Sequence, residues 1–391
     1  MRAASLAIVL AIALGAPRSA GATYVGDELS LGTTRPTPEN PRSGTIGETL
    51  YGSIDASQTL SFMGRLSLLH DDAVAPQAGA NFGAGGGNVL LFTTGVDWEA
   101  TKHFNLAATI DYSPKAQQNS DSTLTLDTAA GTTLPVDSLL RTNASSFGAT
   151  LTLAYDTMDL DAETPSNFEW AFAVNLGAMR LNSQQSIAQL AFYDKLTNRE
   201  RTLSVSAIND TYCPKHPKQP ICKVAANLTG QTESLSQFPL EADMTVTLYE
   251  NTDVGLAVTY FAYSEDPTAL GFFTVSAAGR TSRPSGSLEF GAGMPLAPEQ
   301  LVVRPDVGHA FGPVYADLYA EYGNYLDDQG HEVALGLKLK WRINHNWRIY
   351  GLAVLSRETP GPGLTADADP QSDATLPVIT SAFTLGLRYT F

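Results

Sequence analysis

Phe383-Thr384-Leu385-Gly386-Leu387-Arg388-Tyr389-Thr390-Phe391 closes the chain with an apolar residue at every second position. In an extended segment Phe383, Leu385, Leu387, Tyr389 and Phe391 share one face, and Thr384, Gly386, Arg388 and Thr390 share the other. The same period recurs upstream in Val333-Leu335-Leu337-Leu339-Trp341, interleaved with Glu332, Lys338, Lys340 and Arg342. It is found again in Phe104 to Tyr112, Phe147 to Tyr155 and Phe168 to Leu176. Such segments run roughly 9 to 15 residues, long for globular strands but suited to crossing a bilayer at a tilt.

A soluble sandwich would alternate in the same way, so the ends of the apolar faces decide between the two classes. Phe104 and Tyr112, Phe147 and Tyr155, Phe168 and Trp170, and Trp341 and Trp347 occupy those ends, where a membrane barrel carries its aromatic girdles. The stretch Trp341 to Ile349 is nearly mirror-symmetric about His345. A tight turn there puts both Trp rings at one interface and Arg342 and Arg348 on the opposite face. In lipid, strands with unpaired edges are untenable, so this many strands must close on themselves.

The last strand, with Tyr389 third from the end and Phe391 terminal, resembles the assembly signal of Gram-negative outer-membrane β-barrel proteins of the porin or channel type. The resemblance covers that strand and the general layout, not a subfamily. It implies an all-β, antiparallel up-and-down barrel in the outer membrane, export through the periplasm, and insertion by the outer-membrane assembly machinery. Candidate strands lie at about 59–71, 88–101, 104–114, 146–159, 168–182, 237–250, 253–264, 285–295, 311–326, 331–343, 347–357 and 380–391. Short and long connections alternate between them, which predicts about 12 strands. An additional strand at Gly271 to Arg280 and an untidy connection from Ala297 to Gly312, containing Pro305, leave 14 as the alternative. The predicted organisation is a signal peptide over 1–22, an irregular segment over 23–58 that plugs the lumen or hangs in the periplasm, and a barrel over 59–391.

The leader reading rests on Arg2, the apolar run Leu6 to Leu14 and the small residues Ala20-Gly21-Ala22. The 391 residues are 43% hydrophobic, too apolar for a disordered chain. A formal net charge of −16 repels phosphates and argues against nucleic acid as a partner. Cys213 and Cys222 are the two cysteines, and in an exported chain they read as one disulfide that stiffens the tip of a long outer loop, Asn182 to Gln237. Lys215, His216, Lys218 and Lys223 make that tip basic: it either contacts anionic lipopolysaccharide or an acidic ligand, or is a solvated, protease-resistant loop. Three ligands, Cys213, His216 and Cys222, are too few for a metal site, and no cofactor is expected.

A barrel of 12 to 14 strands can leave an aqueous lumen, so inward residues should carry function. The predicted pore-lining set is Arg65, Asp97, Glu99, Asp111, Asp317, Glu321, Lys338, Lys340, Arg342, Arg348 and Arg388. The hairpin around Asp327-Asp328-Gln329-Gly330 is expected to set Asp317 opposite Lys340 and Tyr319 opposite Lys338. Basic residues on four strands that become neighbours on closure would face acids across the pore and set up a transverse field. The competing reading is that inward charges pair with one another and stiffen the wall. His70 and His331 lie near outer strand ends, where barrel hydrolases keep their chemistry, but no Ser or acid partner falls at a matching spacing. A passive channel for small polar or mixed-character solutes is the leading expectation, with no enzymatic activity. A structural barrel hosting a secretion, export or electron-transfer partner, or a barrel hydrolase, are the alternatives.

Overall fold

The computed structural model describes residues 23–35, 43–72, 87–127, 133–157, 168–194, 196–224, 231–249, 251–265, 299–365 and 377–391. The expected leader, the expected strand at 285–295 and the additional one at Gly271 to Arg280 lie outside these. Strands β1 (Tyr24–Arg35), β2 (Ser43–Asp55), β3 (Leu60–Asp72), β4 (Gly87–Thr101), β5 (Phe104–Asp127), β6 (Thr133–Asp156) and β7 (Phe168–Asp194) follow one another as antiparallel neighbours. After a short β8 (Arg199–Ser204) come β9 (Gln231–Leu248), β10 (Thr252–Tyr263), β11 (Glu299–Phe311), β12 (Val314–Tyr325), β13 (Gly330–Arg342), β14 (Trp347–Pro360) and β15 (Val378–Thr390). β7 pairs with β9, and β1 pairs with β15 from Tyr24↔Thr390 to Arg35↔Ile379. The sheet therefore closes into a barrel of 14 strands, with β8 hydrogen-bonded to β7 alone and outside the ring. Closure leaves no edge for water to satisfy, the requirement a bilayer imposes.

The alternative count of 14 is the one observed, reached by a different route from the one the sequence suggested. The described residues of 23–58 are not an irregular plug: they supply β1 and β2. Two acids obscure their pattern, because Asp27 and Glu48 stand on the outward face, Asp27 between Val25 and Leu29 and Glu48 between Ile46 and Leu50. Nor is Ala297 to Gly312 a loose connection. It holds β11, in which Pro305 pairs with Leu256 of β10 while the ladder to β12 skips Arg304 and Pro305. A proline has no N–H to donate, so one side of the strand tolerates it and the other is interrupted.

Outward faces carry the greasy residues. Phe62, Leu68, Ile110, Leu151, Leu240, Leu256, Leu318, Leu335, Leu355, Phe383 and Leu385 are all exposed, as lipid contact requires. Trp98, Tyr155, Trp170, Trp341, Trp347 and Phe391 mark the end with the short turns, and Tyr112, Phe147, Phe238, Tyr260 and Tyr322 the other. By the usual convention the short-turn end, which also holds both described chain ends, is periplasmic. The turn 343–346 is built as the mirror-symmetric sequence implies: Trp341 pairs with Ile349 and Arg342 with Arg348, and Asn344 Oδ1 accepts from the N–H groups of Asn346 and Trp347.

Inward positions are mostly small or polar, with a buried apolar cluster of Tyr319, Ala334, Leu352 and Val354 on β12–β14 at mid-height. Thr49 and Ala334 are 1% exposed and Tyr319 is 3% exposed. Tyr51 lies over Gly26 and Tyr319 over Gly336, each glycine on the neighbouring strand leaving room for a ring that a Cβ would displace. The inner wall at mid-height is thus lined by side chains packed against their neighbouring strands.

β5, β6 and β7 run well past the outer girdle. On their extensions Val136, Leu190 and Phe192 pack with Ile208, Tyr212 and Ile221 into a small core of their own. Short helical turns at Val205–Ala207, Cys213–Lys215 and Pro220–Val224 contribute to it, and the Cys213–Cys222 disulfide is formed across them. The expected disulfide-stiffened loop tip is a folded cap with its own core. Ser138 pairs with Leu190, and the cap packs on the face of the extended β6–β7 sheet that carries Val136, Leu190 and Phe192.

Candidate functional site

Every expected lining residue of β12–β15 has the inward parity: Asp317, Glu321, Lys338, Lys340, Arg342, Arg348 and Arg388 alternate with the exposed Leu318, Leu337, Leu339, Trp341 and Leu387. Their register differs from the expectation by two residues. Tyr315 pairs with Lys340, Asp317 with Lys338 and Tyr319 with Gly336. The turn decides this: Leu326–Asp328 form a helical turn in which Asp327 and Asp328 adopt positive φ of 52° and 54°, and Gly330 reaches 135°. That geometry centres the hairpin one residue earlier than a turn over 327–330 would.

Above the periplasmic rim the inward charges come in pairs. Arg304 Nη1 stands 4.0 Å from Glu321 Oε2, and Lys338 Nζ 3.8 Å from Asp317 Oδ2. Tyr319 sits among them, with Arg304 and Lys338 5.5 and 4.9 Å from its ring centre. Arg65 meets Glu28 at 3.4 Å. Asp111 accepts from the Thr93 hydroxyl at 2.6 Å. Nearer the periplasmic turns, at the start of β10, Asp253 accepts from Tyr315 at 2.7 Å and from Thr247 at 2.7 Å. Glu241 accepts from Asn175 and Thr259, each at 2.8 Å. The reading in which inward charges tie neighbouring strands together describes this part of the wall.

The periplasmic end is different. Arg342 pairs with Arg348 and Arg348 with Arg388, placing three arginines on one rung of β13, β14 and β15, with Lys340 one inward step above. Arg388 lies over the ring of Tyr24 at 3.4 Å, and Lys340 lies 5.3 Å from the ring of Tyr315. Beyond β1 on the same arc of the rim, the periplasmic ends of β2 and β4 carry Asp55, Asp97 and Glu99. Sequence reasoning missed Tyr24, Glu28 and Arg304, the partners supplied by β1 and β11. An alternation of Tyr24, Gly26, Glu28 and Ser30 with Val25, Leu29 and Leu31 was the available signal, interrupted by Asp27.

In the cap, Asp194 is a hub. The Leu196 N–H donates to it at 2.9 Å, the Thr197 hydroxyl at 3.0 Å, and Arg201 Nε lies 2.8 Å away. Burial pushes its pKa up, but the Leu196 and Thr197 hydrogen bonds, the nearby Tyr212 hydroxyl and Arg201 outweigh it and hold the carboxyl below its ordinary value. Burial likewise raises the Tyr212 hydroxyl, with Asp194 adding to it. Lys215 and Lys218 are exposed on the cap surface. His331 stacks on Tyr322, centres 5.9 Å apart, both on the outward face, so it does not point into the lumen. Among the described residues no cluster of three His, Cys, Asp or Glu could hold a metal.

No family model matches the chain, and no curated relative matches it. Solved structures do. A channel titled "CymD monoaromatic hydrocarbon channel" is similar over 95% of this chain and 88% of its own, with TM-score 0.52 and 6% identity. A TodX variant, titled a monoaromatic hydrocarbon channel, is similar over 94% and 90%, with TM-score 0.52 and 11% identity. At such identities the likeness is one of fold. It agrees with the closed ring, the two girdles and the largely polar inner face: the chain has the closed β-barrel fold of these outer-membrane channels.

Proposed function

We propose that the barrel passes small polar or mixed-character solutes across the outer membrane and selects among them by charge. The observation that carries this reading is the segregation at the periplasmic mouth, with Lys340, Arg342, Arg348 and Arg388 on β13–β15 and Asp97 and Glu99 on β4. Charges of opposite sign on different parts of a low-dielectric rim create a field that orients and sorts polar solutes. The neighbours of similar fold are named for hydrocarbons. Here the described wall is rich in Tyr, Thr, Ser and charged groups, which suits solutes that carry polar groups as well as rings. Delivery by the assembly machinery through Tyr389 and Phe391, and contact of Lys215 and Lys218 with lipopolysaccharide, belong to the same proposal.

The test is ion selectivity in planar bilayers with liposome swelling in graded sugars. Lys340→Glu and Arg388→Glu should each shift the reversal potential toward cation preference, and unchanged selectivity in both would remove the proposal. The closely packed inner wall at mid-height favours one second reading, a sealed barrel that holds a partner; absence of conductance and swelling together with a co-purifying chain would support it.

A further inference from the structure

We propose that the arginine rung Arg342–Arg348–Arg388, with Lys340, is a binding site for a small multiply charged anion at the periplasmic mouth, its ligand a phosphate or a dicarboxylate. This deepens the channel reading by naming the class of solute that its basic side holds.

Three observations converge. First, like charges directly opposite one another in a sheet are destabilising, yet three stand in a row on adjacent strands, roughly 5 Å apart from strand to strand. Second, the cations higher in the wall each have a carboxylate on another strand, as in Arg65–Glu28, Arg304–Glu321 and Lys338–Asp317. Among the described residues, none of Lys340, Arg342, Arg348 and Arg388 has a carboxylate within 4.0 Å. Third, the Nε atoms of Arg348 and Arg388 are shielded from solvent and have no acceptor among the described residues. A buried guanidinium donor without an acceptor is costly, and an anion in the rung would supply one.

The rung is also held in place. Thr390 N–H donates to the Asn346 carbonyl and Asn346 Nδ2 to the Thr390 carbonyl, both at 2.8 Å, which ties the β13–β14 turn to the end of β15. The Arg342 N–H donates to the Pro313 carbonyl at 2.9 Å, fixing the other side to the β11–β12 turn. Arg388 is supported from the β1 side by the Tyr24 ring. Arginine forks on fixed strands suit the oxygens of phosphate and carboxylate better than a single point charge would.

The test uses the full folded chain in detergent, with inorganic phosphate and succinate titrated calorimetrically against chloride at equal ionic strength. Saturable binding of phosphate or succinate above chloride is expected; which of the two binds more tightly identifies the ligand class. Arg348→Gln with Arg388→Gln should weaken it at least tenfold, whereas Arg357→Gln, on the outward face of β14, should leave it unchanged. Arg348→Lys with Arg388→Lys keeps the charge and removes the fork, and should fall between. Retention of the heat-modifiable barrel band shows that each variant is folded; were the Gln pair to misfold, the Lys pair and the chloride comparison still decide. Binding no better than chloride, or the same in wild type and either arginine pair, would overturn the site. Conductance is read separately, so a sealed barrel that binds phosphate refutes transport and keeps the site, and a conducting barrel that does not bind does the reverse.

Discussion

Glu48 offers the sharpest test of which face meets lipid. It lies on the outward face of β2, between Ile46 and Leu50 along the strand, with Leu29 and Leu68 directly across on β1 and β3. Six positions separate it from Ile54 near the periplasmic rim. At about 3.3 Å per residue and a tilt of about 40°, that is about 15 Å into an apolar band about 25 Å tall. A basic side chain at the midplane of such a barrel costs about 2–4 kcal/mol and an acid less, so about 1–2 kcal/mol is ascribed to Glu48. Leucine at that depth gains about 0.5 kcal/mol more. Glu48→Leu should therefore stabilise the folded barrel by about 2 kcal/mol, roughly thirtyfold in the unfolding equilibrium. The assay is urea unfolding in short-chain lipid vesicles, where refolding is followed by tryptophan emission. Thr49→Leu is the control one residue along. Thr49 is 1% exposed, faces inward and donates to the Ser67 hydroxyl at 3.0 Å, so leucine there should cost about 1–3 kcal/mol by overpacking and loss of that bond. Opposite signs at neighbouring positions are the expected result. The same sign at both, or a destabilising Glu48→Leu, would mean that this face is not in hydrocarbon.

Other perturbations address the cap and the wall. Replacing Cys213 and Cys222 by serine opens a loop with a sequence separation of 9, worth about 3 kcal/mol at most in the chain-entropy model, and should raise protease cleavage of the cap while leaving barrel unfolding unchanged. Asp194 has a folded pKa below its ordinary 3.8, so its contribution is present at neutral pH and lost as the pH falls below about 4; hydrogen exchange in the cap should quicken there, and Asp194→Asn should remove the acid-side change. Gly336→Val drives a branched side chain into the Tyr319 ring and should cost about 1–3 kcal/mol, while Gly64→Val, on the outward face where an added Cβ meets nothing within 4 Å, should not; urea titration separates the two.

The facing of each strand was legible because a period of two is written into local sequence. Leu335, Leu337 and Leu339 against Lys338, Lys340 and Arg342 needed no tertiary information, nor did the aromatic ends or the disulfide of Cys213 with Cys222. Where the outward face itself carries a charge, at Asp27 and Glu48, the pattern fades, and two strands went unread. Pro305 hid a third. What the alternation cannot encode is which residue a side chain will stand beside, since that depends on turn geometry and on partners far away in the chain. The positive φ angles of Asp327 and Asp328 set Lys338 against Asp317 rather than Tyr319. Closure of β1 on β15 brought Tyr24 under Arg388, 364 residues later in the chain, and the register of β1, β2 and β3 brought Glu28 to Arg65. Local sequence chose the inner and outer surfaces; the closed ring chose the neighbours, because hydrogen bonds between distant strands fix the register that no single segment contains.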